Sequence, residues 1–124
     1  MKTTIQTPQA PAAIGPYAQA SLGGKLLCVS GQLPINPENG MIPVNLEEQV
    51  RQSVKNVIEI VKAAGGSEKN ILKCGLFIRD MKEFSRINEA YQEFFKEDPP
   101  ARFVVEVSAL PKGALIEIDA IAII

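Results

Sequence analysis

DPPARFVVEVSALPKGALIEIDAIAII (residues 98–124) closes the chain. It holds two apolar runs, 101–108 and 114–123, rich in the β-branched residues that fit a pleated sheet. Leu-Pro-Lys-Gly lies between them, with Gly113 as the permissive residue of a turn, so the stretch reads as two strands joined tightly. Side chains alternate across a strand. In the second run Ile116, Ile118, Ala120, Ala122 and Ile124 share one face. Leu115, Ile121 and Ile123 share the other, with Glu117 and Asp119. That second face is too apolar to stand in open water.

Upstream, the hydrophobic period changes. Asn45 is placed to cap a helix, with Glu48 three residues on, and Val50, Val54, Val57, Ile58 and Val61 repeat at helical spacing until Gly65 and Gly66. NILKCGLFIRD (70–80) is a strand, with Leu72, Cys74, Leu76 and Ile78 on one side and Ile71, Gly75 and Phe77 on the other. Asp80 and Glu83 begin a second helix whose buried stripe is Phe84, Ile87, Tyr91 and Phe95, with Pro99 and Pro100 blocking any continuation. Toward the N-terminus, 17–22 and 25–30 form a hairpin about Gly23 and Gly24. Residues 1–16, with Pro8, Pro11 and Pro16, read as an extended arm, and 32–43 as a loop with room for a short strand near residue 42.

The expected order is β-β-α-β-α-β-β: an α+β fold in which a single mixed β-sheet is covered on one face by two helices. With 124 residues and 46% hydrophobic composition the chain forms one domain, 1–124, with one core. Two helices leave the second sheet face bare, and the simplest cover is another copy of the chain.

Composition narrows the chemistry. The formal net charge is −1 and no run of Lys or Arg exists, so nucleic acid is not an expected partner. No apolar run reaches the roughly 18 residues of a membrane span, and MKTTIQTPQAPAAIGP lacks a signal-peptide core, so a cytoplasmic protein is expected. Cys28 and Cys74 lie in apolar runs without CxxC spacing and read as reduced core residues. There is no histidine, which removes the common triads and leaves hardly any transition-metal ligands, so zinc is not expected. Proton transfer near neutral pH then falls to a carboxylate, cysteine, tyrosine, lysine or water.

Arg102 and Glu117 are the conspicuous charges on apolar strands. They can be an ordinary ion pair or rim charges. They can also be functional: a guanidinium grips a carboxylate through two parallel hydrogen bonds, and a desolvated glutamate gains proton affinity and handles a water molecule. Tyr17 can shape a pocket or simply pack. Gly31, straight after a strand, either relieves strain or lets a ligand approach the main chain.

APAAIGPYAQA (10–20), VSGQLPINPENG (29–40), FIRDMKEFSRINEAYQEFF (77–95), PPAR (99–102) and LPKGALIEIDAIA (110–122), in this order, resemble the RidA family, also called YjgF, of reactive-intermediate deaminases. The resemblance spans almost the whole chain. It implies a chorismate-mutase-like homotrimer with sheets facing inward, helices outside and pockets between subunits. It also implies hydrolysis of enamines and imines such as 2-aminoacrylate, of the 2-iminobutanoate/2-iminopropanoate type, to 2-keto acids and ammonia, without a cofactor. By the same resemblance Arg102 binds the substrate carboxylate and Glu117 activates water. Tyr17, Ser30, Gly31, Asn88, Val104 and Pro111 contribute to the pocket. The partners implied are further copies of the chain and small 2-imino or 2-keto acids.

Two positions depart from the pattern. Many relatives carry Ser-Cys or another small pair directly after the arginine, where this chain has Phe103 and Val104, so a cysteine nucleophile there is excluded. Ala18 stands where serine is common. A metabolite-binding regulator using the same pocket is the alternative function. RNA cleavage, ascribed to some relatives, finds no histidine pair or basic stripe here.

Overall fold

The computed structural model describes residues 1–124. Six strands form one sheet: β1 (Lys2–Ile5), β2 (Ala20–Gly23), β3 (Leu26–Gln32), β4 (Ile71–Ile78), β5 (Ala101–Glu106) and β6 (Ile116–Ile123). Helices α1 (Leu46–Ala63) and α2 (Phe84–Gln92) cover one of its faces. The spatial order is β1-β2-β3-β6-β4-β5, with β4 and β5 parallel and every other pair antiparallel. The chain is therefore α+β with a mixed sheet and a one-sided helical layer, as its sequence pattern predicts.

Three expectations about the elements and their pairing are corrected. The N-terminal arm begins with a strand: Lys2–Ile5 pairs with Ala20–Gly23 at the sheet edge, so the order is β-β-β-α-β-α-β-β. The last two strands are not neighbours. Connection 107–115 passes over the end of β4, where Val107 N–H donates to the Ile78 carbonyl and Arg79 N–H to the Leu115 carbonyl. This delivers β6 to the opposite side of β4, between β3 and β4. Residues 32–43 form no strand near residue 42.

Helix α1 starts as its sequence dictates: the Asn45 side chain accepts from the Glu48 amide at 3.0 Å, filling one of the donors left open at a helix start. Val50, Val54, Val57, Ile60 and Val61 are all but inaccessible. Asp80 caps a 3-10 turn, Met81–Glu83, which leads into α2, and that helix ends at Gln92, well before the prolines. Below the helices lie Leu27, Val29, Cys74, Leu76, Ile78, Ile116, Ile118, Ala120 and Ala122. Leu72 does not join them. A register shift between Ile71 and Lys73 turns Leu72 outward and Ile71 inward, reversing the expected sides of those two residues.

The bare face carries Leu26, Ile121 and Ile123, each more than a third exposed, with Phe103 and Val105 on β5. No helix is long and apolar enough to cross a membrane.

Candidate functional site

The sheet divides the predicted site residues into two groups. The first lies around Glu117. A groove of about 530 Å³ is lined by Tyr17, Ser30, Gly31, Pro111 and Glu117, with Ile14, Gln19, Leu33 and Lys112 among its other walls. Buried amides build it. Gln19 accepts from the Thr7 amide at 2.7 Å and donates to the Pro11 carbonyl at 2.8 Å, pinning the N-terminal arm along one wall. Asn56, buried on α1, donates to the carbonyls of Leu33 and Ile35 at 3.1 and 2.9 Å and fixes the opposite loop. Gln49 joins α1 to the last connection by accepting from the Leu115 amide at 2.9 Å. Ser30 donates its hydroxyl to the Ala18 carbonyl at 2.6 Å, and the Tyr17 hydroxyl faces the Ile14 amide at 3.4 Å.

Glu117 enters this groove from the bare face of β6. The pairing of β3 with β6 shifts between Val29 and Gln32, a bulge that places Ser30 and Gly31 where a regular ladder has one residue. A methyl group at Gly31 would collide with the Glu117 carboxylate, its carbon 2.9 Å from Cδ. Gly31 thus leaves the space in which the carboxylate rests, a role that neither sequence reading of this glycine anticipates. Half-burial first, and the charge of Asp119 second, push the Glu117 carboxyl above its ordinary pKa of 4.5.

The second group lies on the helical side. Arg102 and Val104 alternate with Phe103 and Val105 along β5, and Arg102 stands beside Cys74 in the parallel pair. The guanidinium is held in a cradle. Nη1 donates to Asn88 Oδ1 at 2.8 Å, and the Tyr91 and Phe84 rings lie with centroids 5.0 and 5.7 Å from Cζ. Such stacking steers the fork while leaving its other N–H groups free. Arg102, Asn88 and Tyr91 line a groove of about 740 Å³ closed by Pro99 and Pro100. Val104 lines neither groove and packs against the core.

Within one chain, then, Arg102 and Glu117 occupy opposite faces of the sheet. Phe103 is on the Glu117 face, its ring edge-on to Phe77 with centroids 5.5 Å apart, so it does not crowd Arg102. Cys74 is buried and its thiol pKa is raised to about 11 by that burial, which disfavours a thiolate; Cys28, expected in the core, is instead exposed on the bare face. Nowhere do three His, Cys, Asp or Glu side chains converge as a metal-binding group.

Sequence reading missed Gln19, Gln49 and Asn56, because a buried amide within an apolar stretch carries no periodic signal. Asp119 was placed on the correct face, but its partner on β4 depends on a pairing that no local pattern specifies.

This geometry has counterparts. The family model described as Endoribonuclease L-PSP matches residues 7–124. The chain is 46% identical over 126 residues to the 2-iminobutanoate/2-iminopropanoate deaminase of Escherichia coli strain K12, covering 99% of this chain and 98% of that protein. The chain belongs to the RidA/YjgF family. The crystal structure of the E. coli YjgF gene product matches this RidA-family fold with a TM-score of 0.95 at 45% identity, covering 98% of each chain. That of E. coli TdcF with bound serine matches with a TM-score of 0.95 at 43% identity, again over 98% of each.

Proposed function

We propose that this RidA-family chain is an enamine/imine deaminase of the 2-iminobutanoate/2-iminopropanoate type, assembled as a chorismate-mutase-like homotrimer in the cytoplasm. Glu117 carries the reading: a half-buried carboxyl with raised proton affinity at the wall of a groove, which is what handling water at an imine carbon requires. The 46% identity with the E. coli deaminase, end to end, supports the same reaction.

Arg102 binds the substrate carboxylate, and Asn88 aims it. Tyr17, Ser30, Gly31 and Pro111 enclose the reacting carbon, and Val104, packed against the core, anchors the strand that carries Arg102. An enamine such as 2-aminoacrylate first tautomerises to 2-iminopropanoate. Glu117 takes a proton from water as the oxygen attacks the imine carbon. It returns that proton to nitrogen to give the carbinolamine, then passes the hydroxyl proton to the amine as the C–N bond breaks and the C=O bond forms, and ammonia leaves with pyruvate as the keto acid. Fixing the reactants in place and relaying the two protons of water in turn through one carboxylate is enough, because the imine hydrolyses in water unaided.

The opposite placement of Arg102 and Glu117 supports assembly, since a site that uses both needs two copies. The bare apolar face supports it independently. Serine bound to TdcF favours a second reading, in which the pocket senses a metabolite without turning it over.

One assay separates the two. A serine dehydratase supplies 2-aminoacrylate, and its decay is followed with this protein, with Arg102→Ala and with Glu117→Ala. The wild type accelerates decay and both variants lose that acceleration while keeping the assembly mass. Equal decay in all samples, together with saturable binding of 2-ketobutyrate, would leave the sensor.

A further inference from the structure

Two carboxylates of β6 each rest over a glycine of a flanking strand. Glu117 fills the space beside Gly31 of β3; Asp119 fills that beside Gly75 of β4. Asp119 Oδ1 accepts the Gly75 N–H at 2.9 Å, and a methyl at Gly75 would collide with that oxygen. The same space is closed by Phe103, whose Cζ lies 2.5 Å from where the methyl would stand. Asp119 is therefore held between a backbone donor and an aromatic ring. Residues two apart on a strand share a face, their Cα atoms about 7 Å apart, so its charge stands next to Glu117.

We propose that Asp119 is a positioning residue for Glu117: a fixed negative charge, anchored by the Gly75 amide under Phe103, that lets Glu117 hold a proton as well as take one during turnover. The proposal rests on the deaminase reading for its use, but not for its physics. The remaining groups facing Glu117 do not replace this charge. β3 presents only Ser30 and Gly31, and β4 presents Phe77. Lys112 and Tyr17 stand at the groove wall, and Lys73 lies over the Phe103 ring, 5.5 Å from its centroid. Within one chain Asp119 is the one charged group that perturbs Glu117, in the same direction as burial; in a shared pocket the Arg102 guanidinium of a neighbouring copy faces the same carboxylate and acts in the opposite direction, in wild type and Asp119 variants alike.

The role is carried by charge, whereas a merely structural role is carried by the Gly75 hydrogen bond, and two variants part them. Asp119→Asn keeps an oxygen for Gly75 and removes the charge. Asp119→Ala removes both. The Glu117 carboxyl is followed by ¹³C NMR in the intact assembly, its resonance assigned by its loss in Glu117→Gln, and the acid limb of kcat/KM is recorded in parallel.

In both Asp119 variants the Glu117 midpoint and the acid limb move down together, by about half to one pH unit. Only Asp119→Ala loses stability. An unmoved midpoint in well-folded Asp119→Asn overturns the proposal. Should neither variant fold, the Arg102→Ala assembly decides: the Glu117 midpoint falls as added salt screens the Asp119 charge, and a midpoint that salt leaves unmoved overturns the proposal. Full activity in Glu117→Gln would instead defeat the deaminase role of Glu117, while the NMR coupling stands or falls on its own.

Discussion

Gly31 shows how much one absent side chain can decide. Its φ is not in the left-handed region, so backbone freedom is not what the position needs. What it needs is empty volume, because any Cβ there meets Glu117. Gly31→Ala therefore has to move the carboxylate or spread the β3 bulge, at a cost of about 1–3 kcal/mol of overpacking. Denaturant unfolding of the variant should show that loss, and its deaminase activity should fall toward that of Glu117→Ala. Full activity with unchanged stability would mean that the carboxylate does not rest where it stands here. Arg102 is the complementary case. A guanidinium lying over the Tyr91 and Phe84 rings and bonded to Asn88 has its direction set before substrate arrives, so Arg102→Lys, which keeps the charge and loses the fork, should lose nearly as much kcat/KM as Arg102→Ala.

At the scale of elements, the two helices are joined at the surface by charge. Arg86 of α2 bonds both carboxylate oxygens of Glu47 at the start of α1, at 2.7 and 2.9 Å, and also reaches Glu83. Arg51 of α1 binds Glu93 just beyond α2. The hydrogen bond from Arg86 holds the Glu47 pKa down to about 2 from 4.5. A carboxyl depressed in the folded state stabilises fully above its unfolded pKa and loses that contribution as pH falls through the folded value. Thermal stability should therefore fall as pH drops from about 4.5 to 2, and Glu47→Gln should flatten that part of the pH profile; an unchanged slope would mean the pair is open in solution. Both helices were legible in the sequence because capping residues and a 3.6-residue stripe are local signals. The strands of the core were legible too, and the bare face of β6 was read residue by residue. β1 was not: Lys2, Thr3 and Thr4 are exposed on an edge and leave no alternation to read. The false hairpin of β5 and β6 has the opposite cause. Both segments look like strands, but each pairs with β4, which lies far off in sequence, β5 in parallel and β6 antiparallel on the other side.

For the whole molecule, the decisive fact is that one chain separates the two groups proposed to act in the reaction. Arg102 projects to the helical side of β5 and Glu117 to the bare side of β6, with β4 between those strands. If the site is shared, each pocket takes its guanidinium from one copy and its carboxylate from the next. Then Arg102→Ala and Glu117→Ala, each inactive alone, can repair one another. Equal amounts are unfolded together and refolded so that subunits mix at random. A pocket is whole when its arginine comes from a Glu117→Ala chain and its glutamate from an Arg102→Ala chain. For a ring of identical interfaces that holds for about a quarter of pockets. The mixture should therefore recover about a quarter of wild-type turnover, while the two proteins mixed without unfolding recover it only as fast as subunits exchange. A refolded mixture that reaches the trimer mass by native mass spectrometry and stays inactive would place both groups within one chain's site, which the opposed faces of this sheet do not permit, or remove one of them from the chemistry.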